Sequence, residues 1–290
     1  MTTARDALSS GVVNGQLYAI GGSAPVVGYV TTVEAFDPAS DSWTTRAPMG
    51  TAIATHTSNA VGDSIYVMGG HHFSLNISLD TVEAYNPIGN AWTAKASMPT
   101  AKEGHTSAVV NDKIYAIGGR NSGGFLSTVE EFDPSTNMWT PKASMPTPRA
   151  ELSSAAINGV IYVFGGHSGS VALDDVDSFD PLSNQWASRA AMPIARFRHT
   201  STALNGRVYV FGGYNDSATE FLTIVHEYDP ITDTWTNCGS AAPGNSCADM
   251  PTGRIYPASS ELNGQIFVMG GSNNSDPPKL SANEVYTPPP

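Results

Sequence analysis

Charge is scarce in this chain of 290 residues: Asp, Glu, Lys and Arg make up 14% of it, and 26 acidic residues outnumber 14 basic ones. The formal charge of −12 argues against a nucleic-acid binder, which needs a basic surface to neutralise phosphates. Long apolar runs are missing too. None approaches the ~18 residues of a helical membrane span, so no membrane span is expected. No 3.6-residue apolar period is sustained anywhere, which argues against helices. Cysteine is nearly absent, with Cys238 and Cys247 the only two. They sit close together in one Gly/Pro/Asn-rich insert, where a disulfide is the first reading and two free thiols the second. A disulfide and a lysine-poor surface rich in Ser, Thr, Asn and Gly fit an extracellular or periplasmic protein. Met1-Thr2-Thr3-Ala4-Arg5 runs straight into repeat sequence, so no signal peptide is expected within the chain.

Turn formers are abundant, with 28 Gly and 20 Pro, as many short strands joined by tight turns require. The chain also repeats itself. Gly-Gly ends an apolar run at Gly21-Gly22, Gly69-Gly70, Gly118-Gly119, Gly165-Gly166, Gly212-Gly213 and Gly270-Gly271. The spacings are 48, 49, 47, 47 and 58, the last holding the cysteine insert. Trp43, Trp92, Trp139, Trp186 and Trp235 recur in step, each six residues after the first residue of an Asp/Asn-Pro pair.

Each unit reads as four strands. In the fourth unit a small apolar strand (153–157) turns at Asn158-Gly159 into VIYVFGG (160–166), and DVDSFDP (175–181) follows a variable loop. Trp186 then opens the last strand. A four-stranded sheet with two apolar faces cannot bury both alone, and radial packing of several sheets solves that. Phe36, Tyr85, Phe132, Phe179, Tyr228 and Tyr286 at the third-strand position, with the tryptophans, are expected to fill the wedges between sheets. The fold class is therefore all-β, a six-bladed propeller with units near 1–48, 49–97, 98–144, 145–191, 192–249 and 250–290, forming one domain. The sixth unit ends at Tyr286-Thr287-Pro288 before any Trp strand. It should lack its outer strand, with Pro288-Pro289-Pro290 shielding the open edge.

The Gly-Gly after an apolar strand, V-E-x-[YF]-D-P, the phased Trp and M-P-T-x-R resemble the kelch repeat over essentially the whole chain. The resemblance implies a kelch propeller with the first strand innermost, and a binding face where the joints between blades and the loops after Gly-Gly open. His226 departs from the family's usual Glu, and Asn86 and Thr287 from its Asp.

Aligned on that pattern, the joint column holds Arg5, Ile53, Lys102, Arg149, Arg196 and Arg254. Two residues on stand Ala7, Thr55, Gly104, Glu151, Arg198 and Tyr256, then Leu8, His56, His105, Leu152, His199 and Pro257. After the glycines come Ser23, His71, Arg120, His167, Tyr214 and Ser272. Most of the histidines and arginines thus fall on one mouth, where paired guanidinium donors suit a carboxylate. Arg120, Arg198, Glu151, Tyr256, His71, His167 and Tyr214 vary between units and are the leading ligand-binding candidates. Arg5, Arg149, Arg196 and Arg254 either join them or brace the blades.

No nucleophile elbow, phosphate loop or H-E-x-x-H is present. His71-His72 and His105 match no metal-ligand spacing, so neither metal nor cofactor is expected. The first expectation is a non-catalytic binding propeller, monomeric, for an anionic small molecule, glycan or acidic peptide. The second draws on N-acetylneuraminate epimerase, which has a six-bladed kelch fold. There Glu151 with His105, His167 or His199 would move protons while Arg198 holds a sugar carboxylate. A structural propeller of an exported protein is the third.

Overall fold

A computed structural model describes residues 1–217, 221–239, 247–273 and 279–288. Five four-stranded antiparallel sheets and one three-stranded sheet follow one another in chain order. In blade 1 the strands are Ser9–Val13, Gln16–Ile20, Val33–Asp37 and Ser42–Thr45, and the same order recurs in blades 2 to 5. Blade 6 has Ala258–Leu262, Gln265–Met269 and Asn283–Tyr286. Its outer edge carries no fourth strand among the described residues. Pro289 and Pro290, expected to shield that edge, lie outside the described residues.

The turns explain the hairpins. Asn158 and Gly159 have φ of 52° and 79°, the two left-handed residues that match the twist of the flanking strands. The Gly-Gly pairs have a different task. A Cβ on Gly69 would lie 2.7 Å from the Lys102 carbonyl oxygen, and one on Gly70 would lie 2.8 Å from that of Ala54. The backbone of the next joint crosses here, and only glycine lets it approach. The second glycine of each pair donates its N–H to the next joint residue, from Gly22 to Ile53 (2.9 Å) round to Gly271 to Arg5 (3.0 Å). The ring closes through this same bond.

The side chain of the joint residue turns into its own blade. Arg5 pairs with Glu34 at 3.1 Å and Lys102 with Glu130 at 2.9 Å, while Arg149 meets Asp177 and Arg254 meets Glu284. All five basic joint side chains are fully buried. Arg5, Arg149, Arg196 and Arg254 are therefore internal braces and do not face a ligand. Each fixes its carbonyl on the preceding blade and its guanidinium on its own. Two blades depart. In blade 5, Arg196 Nη2 lies 2.7 Å from His226 Nδ1. In blade 2 the joint residue is Ile53, and burial raises the pKa of Glu83 in its third strand.

Six core clusters fill the wedges. In four wedges the tryptophan indole donates to an alanine carbonyl of the preceding blade: Trp92 to Ala47, Trp139 to Ala96, Trp186 to Ala143 and Trp235 to Ala190, at 2.8–2.9 Å. In the wedge between blades 5 and 6 no tryptophan is present. The Cys238–Cys247 disulfide packs there instead, with Cys238 buried and its sulfur 3.5 Å from the Tyr286 hydroxyl.

Candidate functional site

Six residues, one per blade, close a ring of backbone hydrogen bonds around the axis. Thr55 N–H donates to Ala7, Gly104 to Thr55, Glu151 to Gly104, Arg198 to Glu151, Tyr256 to Arg198 and Ala7 to Tyr256, at 2.7–3.1 Å. All six have φ between 51° and 59°, a conformation that disfavours side chains other than glycine. Only Gly104 uses one. The N–H groups of this collar satisfy the carbonyls of the collar, so its chemistry lies in the side chains. These are lopsided. Blades 1 to 3 present Ala7, Thr55 and Gly104, and blades 4 to 6 present Glu151, Arg198 and Tyr256. A recess of about 110 Å³ lies at the collar.

The large half is an interlocked network. Arg198 Nε donates to Glu151 Oε2 at 2.8 Å, and the Tyr256 hydroxyl donates to Oε1 at 2.7 Å. The Arg198 guanidinium also sits between the Phe197 and Tyr256 rings, 5.0 and 4.8 Å from their centres, a stabilising cation–π arrangement. Arg120 reaches Glu151 at 3.7 Å and donates from Nε to Glu103 at 2.9 Å. His71 lies 3.8 Å from Glu103 and 3.2 Å from the Tyr29 hydroxyl. Burial opposes the Arg198 cation, but Tyr256 and Glu151 outweigh it and hold its pKa above the ordinary value. Burial, then Glu151, pushes the Tyr256 phenol upward, so it is a donor at neutral pH.

Arg120, Arg198, Glu151, Tyr256 and His71 are thus brought together. His167 and Tyr214 stand at the rim: His167 packs edge-on against Phe197 at 4.9 Å and Tyr214 against Phe197 at 5.6 Å. Glu103 is a member that sequence reasoning missed. Its column reads Asp6, Ala54, Glu103, Ala150, Phe197 and Ile255, and the unit-to-unit variation that singled out Arg120 would have found it.

The histidines divide. His56, His105 and His199 lie one residue below the collar and are 5–6% exposed. Burial pushes His56 down to about 4 and His199 to about 3, and His105 falls well below its ordinary value. This corrects the expectation that His105 and His199 exchange protons at neutral pH: they are held neutral. Among the described residues no group of three or more His, Cys, Asp or Glu is placed to hold a metal ion.

The profile of the KLHDC2/KLHL20/DRC7 Kelch-repeats domain matches residues 55–271, and that of the Kelch motif matches residues 4–50. No curated protein matches the chain in sequence. Among solved structures the chain is similar to the one titled "Structure of YjhT", with a TM-score of 0.81 and 19% identity over 98% of this chain and 95% of that one. At that identity the likeness is one of fold. The profile match over well over half of the chain, carried by a six-bladed ring with glycine pairs at every joint, establishes that the chain belongs to the kelch-repeat family of β-propellers.

Proposed function

We propose that this propeller is a binding module whose mouth takes a carboxylate-bearing small molecule or the acidic end of a glycan. The observation that carries this reading is the layering of charge. The Arg120 side chain is 43% exposed above Glu103 at 13%, and Arg198 is 33% exposed above Glu151 at 5%. The arginines and carboxylates balance in number, yet the guanidinium groups form the outer layer. With its Nε committed to Glu151, Arg198 offers its terminal nitrogens to a ligand, and the carboxylate beneath fixes their direction. The small collar residues Ala7, Thr55 and Gly104 leave room opposite.

The same geometry weighs against proton transfer. Both Glu151 oxygens accept strong hydrogen bonds, so it serves better as an anchor than as a base. The buried disulfide supports a location outside the cytosol.

Calorimetric titration with glucuronate, N-acetylneuraminate, glucose and an acidic peptide tests the reading. A sugar acid should bind, glucose should bind at least tenfold more weakly, and Arg198→Lys should remove the preference. Equal affinity for glucose and glucuronate, or an unchanged profile in Arg198→Lys, overturns it. Turnover of a sugar acid that is lost in Glu151→Gln would replace binding with catalysis.

A further inference from the structure

The hairpins that follow the glycine pairs of blades 1 and 2 stand on the mouth face. Ser23–Ala24 pairs with Gly28–Tyr29 in blade 1, and His71–His72 with Ile77–Ser78 in blade 2. Neither 23–32 nor 71–79 contains an Asp, Glu, Lys or Arg. Single exposed apolar residues are ordinary on a protein surface, but here they gather. Of eleven exposed large apolar side chains among the described residues, Val26, Val27, Phe73, Leu75 and Ile77 lie on these two hairpins. Phe73 is 67% and Leu75 63% exposed, so the fold covers neither. The Tyr29 ring joins the hairpins, with its centre 5.4 Å from that of Phe73 and 5.8 Å from that of His71.

Two observations connect this apolar ledge to a ligand. Val26 is fully exposed at φ 69°, a left-handed conformation that strains a β-branched residue. Glycine or asparagine would hold the turn without that strain, so the fold gains nothing from a valine there, and such outliers cluster at ligand contacts. The ledge is also continuous with the arginine layer. The Tyr29 hydroxyl lies 3.2 Å from His71, His71 lies 3.8 Å from Glu103, and Glu103 accepts from Arg120 at 2.9 Å. Ser78 donates to the Arg120 carbonyl at 3.4 Å. Across the collar from Arg198 stand Ala7 and Thr55 of the same two blades, small side chains that leave the passage open.

Resting on the reading of the mouth as a carboxylate site, we propose that its ligand is an amphiphile. The acidic end, a sugar acid, is held by Arg198 and Arg120, and an apolar aglycone lies on the ledge of blades 1 and 2. The anion meets guanidinium groups at one end, and the uncharged hairpins let the apolar end bury without stranding a charge. Apolar surface beside a few fixed polar groups is the usual make-up of a small-molecule site. The formal charge of −12 works against an anionic lipid surface as the occupant.

Calorimetric titration with methyl, hexyl and octyl β-glucuronide, each kept below its micelle concentration, varies the aglycone alone. Octyl glucuronide should bind roughly tenfold or more tightly than methyl glucuronide, and the neutral octyl glucoside roughly tenfold or more weakly than octyl glucuronide. The octyl-to-methyl ratio should fall below about threefold in Phe73→Ser combined with Leu75→Ser, because the methylenes then lose their apolar contact. It should persist in Leu182→Ser, an exposed leucine of blade 4. Equal affinity for methyl and octyl glucuronide overturns the inference and leaves the mouth a carboxylate site, whereas no affinity for any glucuronide overturns both. Octyl glucoside binding as tightly as octyl glucuronide also overturns it, since the ledge would then act without the arginines. Binding to phosphatidylglycerol vesicles, or a dimer, either one lost in the double serine variant, would assign the ledge to a lipid surface or to a second copy of the chain and overturn the proposal.

Discussion

Arg196 places Nη2 2.7 Å from His226 Nδ1, where the joint cations of blades 1, 3, 4 and 6 meet carboxylates. Both members of the pair show the consequence. Burial lowers the Arg196 pKa to about 10, and burial with the neighbouring cation lowers that of His226 to about 3. A guanidinium fully removed from water bonds directly here only to carbonyl groups and one neutral imidazole among the described residues, and the nearby Asp249 carboxylate offsets its burial only in part.

His226→Glu should therefore stabilise the protein, because it supplies in direct contact the countercharge that the joint cations of blades 1, 3, 4 and 6 already have. A gain of about 1–3 kcal/mol is expected, part of what breaking a buried pair costs. Urea unfolding at neutral pH reads it as a higher midpoint with an unchanged slope. A lower midpoint would mean that the Arg196 carbonyl contacts already suffice.

Much of this architecture is legible in the sequence because each unit is an independent reading of the same pattern. The glycine pairs, the third-strand aromatics and the missing sixth tryptophan all follow from phase alone. The arginines at the joints were harder to place. The repeated M-P-T-x-R motif leaves them open between ligand contact and brace, because nothing in that segment points to a carboxylate about 30 residues later in the third strand. The histidines show the limit more sharply. His105 stands one residue after Gly104 of the collar, and that single step exchanges a solvent-facing ring for a buried one. Ser10, Ser58, Ser107, Ser154, Ser201 and Ser259 were in plain view in the first strands, but they are invariant between units, and attention to variation passes over them.

Stability should fall on acidification through the buried histidines. His56, His105, His199 and His226 are neutral in the folded chain, with pKa values below the ordinary one. The unfolded chain binds their protons from about pH 6.5 downward. Their contribution is therefore complete above that pH and is lost progressively as pH falls toward 4 and 3. The slope is at most about 1.4 kcal/mol per pH unit for each histidine. His199→Leu should flatten the profile of melting temperature between pH 6.5 and 4 without lowering it at pH 7.5, since Leu8 and Leu152 are equally buried in the same column. A profile parallel to that of the parent protein would assign the acid sensitivity to the carboxylates.

The disulfide should act as the sixth wedge. Tyr286 meets Cys238 where Tyr228 meets Trp235 at 4.9 Å in the neighbouring blade. Replacing Cys238 and Cys247 by alanine removes both the cross-link and this packing. The cross-link alone contributes about 2–3 kcal/mol for so short a loop. Hydrogen exchange locates the loss: Asn283–Tyr286 and Gln265–Met269 of blade 6 should lose protection first, while Val176–Asp180 of blade 4 keeps its own. Uniform loss around the ring would show that the disulfide restrains the unfolded chain without closing this wedge.

The collar invites a comparison between its two halves. Thr55 is a β-branched residue at φ 55°, and among the described residues its hydroxyl bonds only to the adjacent Ala54 carbonyl. Holding such a residue in the left-handed region costs about 1–2 kcal/mol, and Gly104 shows that glycine fits the same ring. Thr55→Gly should stabilise the propeller by about 1 kcal/mol, less the greater freedom that glycine gives the unfolded chain. Glu151 is equally strained at φ 57°, yet Glu151→Gly should destabilise, because Arg198, Arg120 and Tyr256 lose their shared acceptor. The opposite signs, measured by urea unfolding, would show that strain on the large side of the collar is tolerated for the network it carries. Equal signs would mean that backbone conformation dominates and that the network contributes little to the fold.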